Sequence, residues 1–184
     1  MDIITTLLIA VGLAMDAFTV SITSGLVNKP KLSLTLKLAI SFGLFQAVMP
    51  VVGWLAGVGF RDFISGIDHW IAFGLLGFIG CKMIFEALGS GSKKTKFQTM
   101  NNYTIFILAI ATSIDALAVG LSLSFLRVSI LFPVIVFGAV TFFLSLLGVV
   151  IGNRLGHFFQ KKVEIFGGLI LIGIGVKILI EHLA

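Results

Sequence analysis

The sequence predicts an all-α integral membrane protein of six transmembrane helices, built as two inverted-topology three-helix repeats. Composition is the first reason. Of 184 residues, 58% are hydrophobic and 11% charged, with 21 glycines besides, and the mean hydropathy is +1.16. Soluble domains run at about 25% charged. So few charges cannot coat a water-facing surface, and the same apolar content excludes a disordered chain. The second reason is the spacing of the apolar windows, and the third is an internal repeat.

Six windows lie at about 3–27, 36–60, 67–88, 104–126, 130–152 and 163–183, each close to the roughly 20 residues that cross a bilayer. The first reads as a retained span, since Met1-Asp2 offers no basic region and Asp16 interrupts the apolar run. A Gly/Ser/Lys-rich stretch from Gly89 through Lys96 to Tyr103 separates two halves. The expected organisation is one membrane domain: a first repeat at 1–88, a cytoplasmic linker at 89–103, and a second repeat at 104–184. Lys29, Lys31, Lys37, Lys93, Lys94, Lys96, Arg154, Lys161 and Lys162 fall on one side of the membrane, against Arg61 and Arg127 on the other. Because all the loops are short, the basic-rich side is cytoplasmic and both termini face outward. The net charge of +5 is thereby accounted for by topology, and no nucleic-acid partner is expected. Cys81 is the lone cysteine, so no internal disulfide forms.

The halves match in order. At an offset of 99, Ala10, Asp16, Ala17 and Val20 fall on Ala109, Asp115, Ala116 and Val119. At an offset of 95, Phe42-Gly43 falls on Phe137-Gly138, Gly53 and Gly57 on Gly148 and Gly152, and Gly80, Lys82 and Glu86 on Gly175, Lys177 and Glu181. The offset changes only in the first loop of each half, where length varies most easily. A unit of three spans, being odd, crosses in opposite directions in its two copies, the plan of many secondary transporters.

Asp16 and Asp115 lie near the middle of their windows. A carboxylate there costs about 2.5–3.5 kcal/mol on insertion scales, and intramembrane acids commonly mark an ion or proton path. Small and hydroxylated residues recur beside them at helical spacing: Thr5, Gly12, Thr19 and Thr23 in the first span, and Thr104, Ala111, Ala118 and Ser122 with Thr112 and Ser113 in the fourth. Such stripes allow close helix approach and supply oxygens. Gln46 and its counterpart Thr141 are the other deep polar pair, read equally as cation ligands and as interhelical hydrogen-bond partners. Lys82 with Glu86, and Lys177 with Glu181, are spaced for intrahelical pairing. Each pair reads either as a gate or charge relay, or as a neutralised pair with a snorkelling lysine. Pro50 is placed to kink the second span. His69, His157 and His182 sit near span ends. No nucleophile–base arrangement or phosphate loop is present, so the chain is not expected to be an enzyme, and no cofactor is implied.

Two carboxylates with amide and hydroxyl oxygens make a hard donor set suited to manganese, magnesium or calcium. The same acids would serve a proton-coupled exporter of another cation or of a cationic amino acid, and a non-transporting membrane scaffold is the remaining alternative. The chain resembles the MntP-type family of bacterial manganese efflux pumps from end to end. The resemblance is carried by Met15-Asp16-Ala17, Thr112-Ser113-Ile114-Asp115-Ala116, Phe42-Gly43 through Pro50 and Gly53-Trp54, His69 to Phe73, Glu164 to Leu169, and Gly173-Ile174-Gly175. It implies a multi-pass exporter of the bacterial inner membrane, with Mn²⁺ as transported substrate and Asp16 and Asp115 as the functional acids. Some relatives carry Glu where this chain has Gln46. Protons are a candidate coupling ion, the lipid bilayer is the surrounding partner, and the oligomeric state is not readable.

Overall fold

A computed structural model describes residues 2–27, 32–59, 68–88, 101–155 and 160–183. Those residues form helices α1 (Ile3–Val27), α2 (Leu32–Val58), α3 (Asp68–Leu88), α4 (Asn102–Ala111), α5 (Ile114–Phe125), α6 (Leu131–Leu155) and α7 (Gln160–Leu183). Helix is the expected outcome for chain in lipid, because it satisfies backbone N–H and C=O groups within the segment. Every apolar window becomes helical, and α2 runs unbroken through Pro50. The linker residues 89–100 lie outside the described residues, as do His157 and the side chains of His69, Glu86, Glu181 and His182.

The fourth window departs from expectation. It is two helices, α4 and α5, separated at Thr112-Ser113. The Thr112 hydroxyl donates to the Leu108 carbonyl at 2.9 Å, and the Ser113 hydroxyl donates to the Ala109 carbonyl at 2.7 Å. Adjacent hydroxyls that turn back onto preceding carbonyls compete with the helical ladder. The counterparts of Thr112 and Ser113 in α1 are Leu13 and Ala14, which carry no hydroxyl, and α1 is continuous.

Among the described residues four stretches are long and apolar enough to cross a membrane: Ile3–Leu26, Leu32–Val58, Asn102–Phe125 taken across its break, and Leu131–Asn153. Shorter apolar runs occupy Trp70–Lys82 and Ile165–Ile180. The distribution of residue types is that of a protein dissolved in lipid. Large apolar side chains such as Ile40, Leu44, Phe78, Phe85, Ile135 and Phe143 are exposed, while Gln46, Ser113, Asp115, Thr141 and Ser145 are buried.

By their principal contacts the helices follow one another around a closed ring: α1 on α6, α6 on α2, α2 on α5, α5 on α3, α3 on α7, and α7 back on α1. α1 and α5 therefore stand across the ring from each other. Glycine sets the closest approaches. A Cβ on Gly53 would overlap the Leu117 carbonyl of α5, and one on Gly152 would overlap the Ile22 carbonyl of α1. Gly57 sits against Ser124, and Gly148 against Phe18 and Ser21. Residue numbers rise together across both α1·α6 and α2·α5, so each pair runs in one direction. Gly43 and Gly138 place their backbones against each other, beside the fully buried Phe42 and Phe137. At the end of α5 the chain turns through Arg127, which adopts a positive φ of 55°. The Trp54 indole donates to the following Val128 carbonyl at 2.9 Å.

Gly120 carries the sharpest packing prediction, since a Cβ there would meet the Pro50 backbone, whereas one on Gly74 meets nothing within 4 Å. Gly120→Ala is expected to lose about 1–3 kcal/mol of stability, and Gly74→Ala to lose none. Thermal unfolding of the purified chain in detergent checks this, and equal melting of the two variants would contradict the packing described.

Candidate functional site

Asp115 is in the first turn of α5. The break at Thr112-Ser113 therefore does two things. It places a helix N-terminus inside the apolar bundle, and it puts the carboxylate where the partial positive charge of that terminus favours it. Interrupted helices at binding sites are a recurrent device in transporters. The Asp115 side chain is buried, and Lys82 from α3 reaches it with Nζ 3.3 Å from Oδ1. Lys82 is thus engaged across the α3·α5 contact, and the Glu86 side chain is outside the described residues.

Asp16 lies in the continuous α1 and is partly buried, flanked by the fully buried Ala14 and Ala17. The stripe it belongs to faces α7. A Cβ on Gly12 would touch Leu171 and approach the Gly167 carbonyl, and Thr5 accepts a hydrogen bond from Lys177 Nζ at 2.8 Å. Lys177 also lies 3.8 Å from Asp2. The Asp2 carboxyl is held below the usual carboxylate range, chiefly by its hydrogen bond with Thr5 and further by Lys177. The two lysines that match by sequence therefore have different partners. Lys82 is on the mid-span acid of its neighbouring helix, and Lys177 contacts the start of its own neighbour, Thr5 being about 16 Å of helical rise from Asp16.

Gln46 and Thr141 are both fully buried. Gln46 Nε2 donates to the Leu13 carbonyl at 3.3 Å, which ties α2 to α1 one turn before Asp16. Its Oε1 has no hydrogen-bond partner, and neither does Thr141 Oγ1 nor Ser145 Oγ one turn further along α6. A buried polar atom left unpaired costs about 1–3 kcal/mol. Three such oxygens on the facing helices α2 and α6 are acceptors held in reserve. Thr112, by contrast, spends its hydroxyl proton on the Leu108 carbonyl. Among the described residues no three His, Cys, Asp or Glu side chains come together as a metal cluster. A cation held here would draw on carboxylate, amide and hydroxyl oxygens.

Two features were not anticipated from sequence. The helix break had a local signal in the adjacent Thr112 and Ser113. The Lys82–Asp115 pair had none, because its partners are 33 residues apart and meet only through α3·α5 packing.

An all-helical bundle with an apolar exterior, a handful of buried polar side chains in an otherwise apolar core and an interrupted helix carrying a buried acid is that of a polytopic membrane protein. The family described as "Putative manganese efflux pump" matches residues 29–179, and the chain belongs to that family. It is similar to the protein named "Putative manganese efflux pump MntP" in Methanosarcina mazei, 56% identical over 184 residues, covering 100% of this chain and 98% of the relative. A protein of the same name in Rippkaea orientalis is 54% identical with equal coverage. A Clostridium botulinum protein named as a second MntP is 46% identical over 197 residues, covering 99% of this chain and 96% of its own. No solved structure matches the chain.

The reserve oxygens separate a structural from a functional role. Thr141→Val keeps the side-chain shape and removes the unpartnered hydroxyl. It is expected to leave the melting temperature unchanged or raise it by the equivalent of about 1 kcal/mol, while weakening cation transport. A fall in stability, measured by thermal unfolding in detergent, would assign the hydroxyl to packing instead.

Proposed function

We propose that this chain exports Mn²⁺ from the cytoplasm by alternating access around a cation site formed by Asp16 and Asp115. The observation that carries the reading is the set of fully buried, unpartnered oxygens on α2 and α6, which belong to the same helical ring as the two acids. Carboxylate and neutral oxygen donors suit a hard divalent cation, and manganese belongs to that class. Two carboxylates match its charge in a medium where unbalanced charge is costly. Membership of a family whose relatives carry the name manganese efflux pump supports Mn²⁺ over magnesium or calcium.

In this reading Asp16 and Asp115 are the charged ligands, Gln46 and Thr141 add neutral oxygens, and Thr112 contributes a lone pair beside its back-bonded proton. Six spans cross the cell membrane as two inverted three-helix units, residues 1–88 and 104–184, joined by a cytoplasmic linker at 89–103. Support comes from paired contacts: α1·α6 matches α5·α2, α1·α7 matches α5·α3, and Gly43 meets its own counterpart Gly138. One unit rocks against the other to expose the site alternately. Proton exchange at the acids is the proposed coupling. Relatives occur in archaea as well as bacteria, so the membrane is the cytoplasmic membrane of a prokaryote. The predominance of basic residues in the alternate loops favours both termini outside.

Two measurements test this. Cells expressing Asp16→Asn or Asp115→Asn at normal abundance should lose protection against high external Mn²⁺, and inverted vesicles should lose uptake of radiolabelled Mn²⁺ while never accumulating labelled lysine. Full protection by either variant, or lysine uptake by the wild type, would refute the site or the substrate. For topology, a C-terminal fluorescent reporter that matures only in the cytoplasm should stay dark, and bright cells would reverse the orientation.

A further inference from the structure

We propose that Lys82 is a tethered counter-cation for Asp115, an ammonium that occupies the carboxylate between transport events and that the metal displaces on binding. The inference rests on the reading of Asp115 as a substrate ligand and adds to it the group that sets resting affinity and drives release.

The geometry has three parts. First, Asp115 is buried in an apolar bundle, where an ionised carboxylate requires a counter-charge, and Lys82 Nζ supplies it at 3.3 Å. The ammonium lies against Oδ1, so it and an incoming cation compete for the same lone pairs. Second, Lys82 keeps 38% of its side chain exposed while Asp115 keeps 9%. The lysine is the mobile partner, a point charge on a flexible four-carbon stem, and the carboxylate is the fixed one. Third, the sequence-matched Lys177 occupies a different setting, on Thr5 at 2.8 Å and near Asp2 at 3.8 Å. The counterparts of Thr5 and Asp2 in the second half are Thr104 and Asn101. They are already joined as the N-cap of α4, with Thr104 N and Oγ1 each donating to Asn101 Oδ1 at 2.8 Å.

The displacement of the ammonium by the metal makes and breaks no covalent bond and moves no proton, and the proton exchange proposed for coupling is a separate step at the acids. The ammonium leaves as the divalent cation arrives, and it returns as the cation departs toward the outside. A lysine in this role weakens binding and accelerates release. A lysine that merely braces the helices would do neither.

The test is equilibrium binding of Mn²⁺ to the purified full-length chain in detergent by titration calorimetry, paired with transport in proteoliposomes. Lys82→Gln and Lys82→Met should each bind Mn²⁺ about tenfold tighter or more, in keeping with removal of a competing charge in low dielectric. Their KM and kcat should fall together, while Lys82→Arg, which keeps the charge, should stay near wild type in affinity. Unchanged or weaker binding by both neutral variants overturns the proposal. Asp115→Asn reports on the underlying site separately: if it binds Mn²⁺ as the wild type does, the site reading fails, whatever Lys82 does. Should neither neutral variant fold, the wild-type chain decides. Saturating Mn²⁺ should increase acylation of Lys82 by a water-soluble amine reagent, read by mass spectrometry, and unchanged labelling overturns the proposal.

Discussion

A carboxylate surrounded by hydrocarbon cannot stay ionised unaided, and the architecture around Asp115 is organised by that constraint. Three different devices answer it. The helix is interrupted just upstream, so that α5 begins one residue before the acid and directs its N-terminal dipole toward it. The Ser113 hydroxyl satisfies the Ala109 carbonyl that the interruption would otherwise leave bare, and the Thr112 hydroxyl joins its own N–H on the Leu108 carbonyl. Lys82 is carried in on a separate helix to balance the charge. None of these is useful to a span that only crosses the bilayer, since a leucine at position 115 would make all three unnecessary. The polar apparatus is therefore intelligible as the consequence of keeping an acid where the solvent opposes it.

The helices can hold such an acid only if they pack closely without help from the hydrophobic effect, which has little to offer between helices already in lipid. Glycine provides the answer at matched places. Gly53 on Leu117 and Gly148 on Phe18 are the same contact made twice, because the partners differ by the same offsets that relate the halves. Gly80 against Gly168, and Gly175 against Phe73, repeat the relation between α3 and α7. Backbone-to-backbone approach fixes the distance between helices more rigidly than interdigitated leucines would. The buried oxygens of Gln46, Thr141 and Ser145 are consequently held in place even though nothing bonds them.

Much of this could be read from residue order. Among the described residues each apolar window contains helix, the fourth holding two, because a bilayer imposes a length on them that no soluble fold imposes. The rarity of charge made Asp16, Asp115, Lys82 and Lys177 conspicuous, and the repeat linked them in pairs. The side-chain relationships were much less legible. The i,i+4 spacing pairs Lys82 with Glu86, whose side chain is outside the described residues, and it gave no sign of the contact Lys82 makes with Asp115 on a different helix, which arises only from the packing of α3 on α5. The break in the fourth window was concealed for another reason. Hydropathy averages over a window, and two hydroxyls among leucines and isoleucines scarcely change the mean, although they decide the hydrogen bonding locally.

The two halves match in sequence and differ in structure, and the differences fall at the proposed site. Thr112-Ser113 breaks one helix where Leu13-Ala14 leaves its counterpart whole. Lys82 holds a mid-span acid where Lys177 holds the start of a helix. Gln46 is an amide where Thr141 is a hydroxyl, and Pro50 stands where Ser145 does. An inverted repeat with identical units would have an exact two-fold axis in the membrane plane, with no preference for loading from one side over the other. Export against a gradient needs the two exposed states to differ in affinity. A counter-ammonium on Asp115, whose sequence match Lys177 sits instead on Thr5, would contribute that difference from a single side chain. The duplicated scaffold would then supply the motion, and the unmatched residues at its centre would supply the direction.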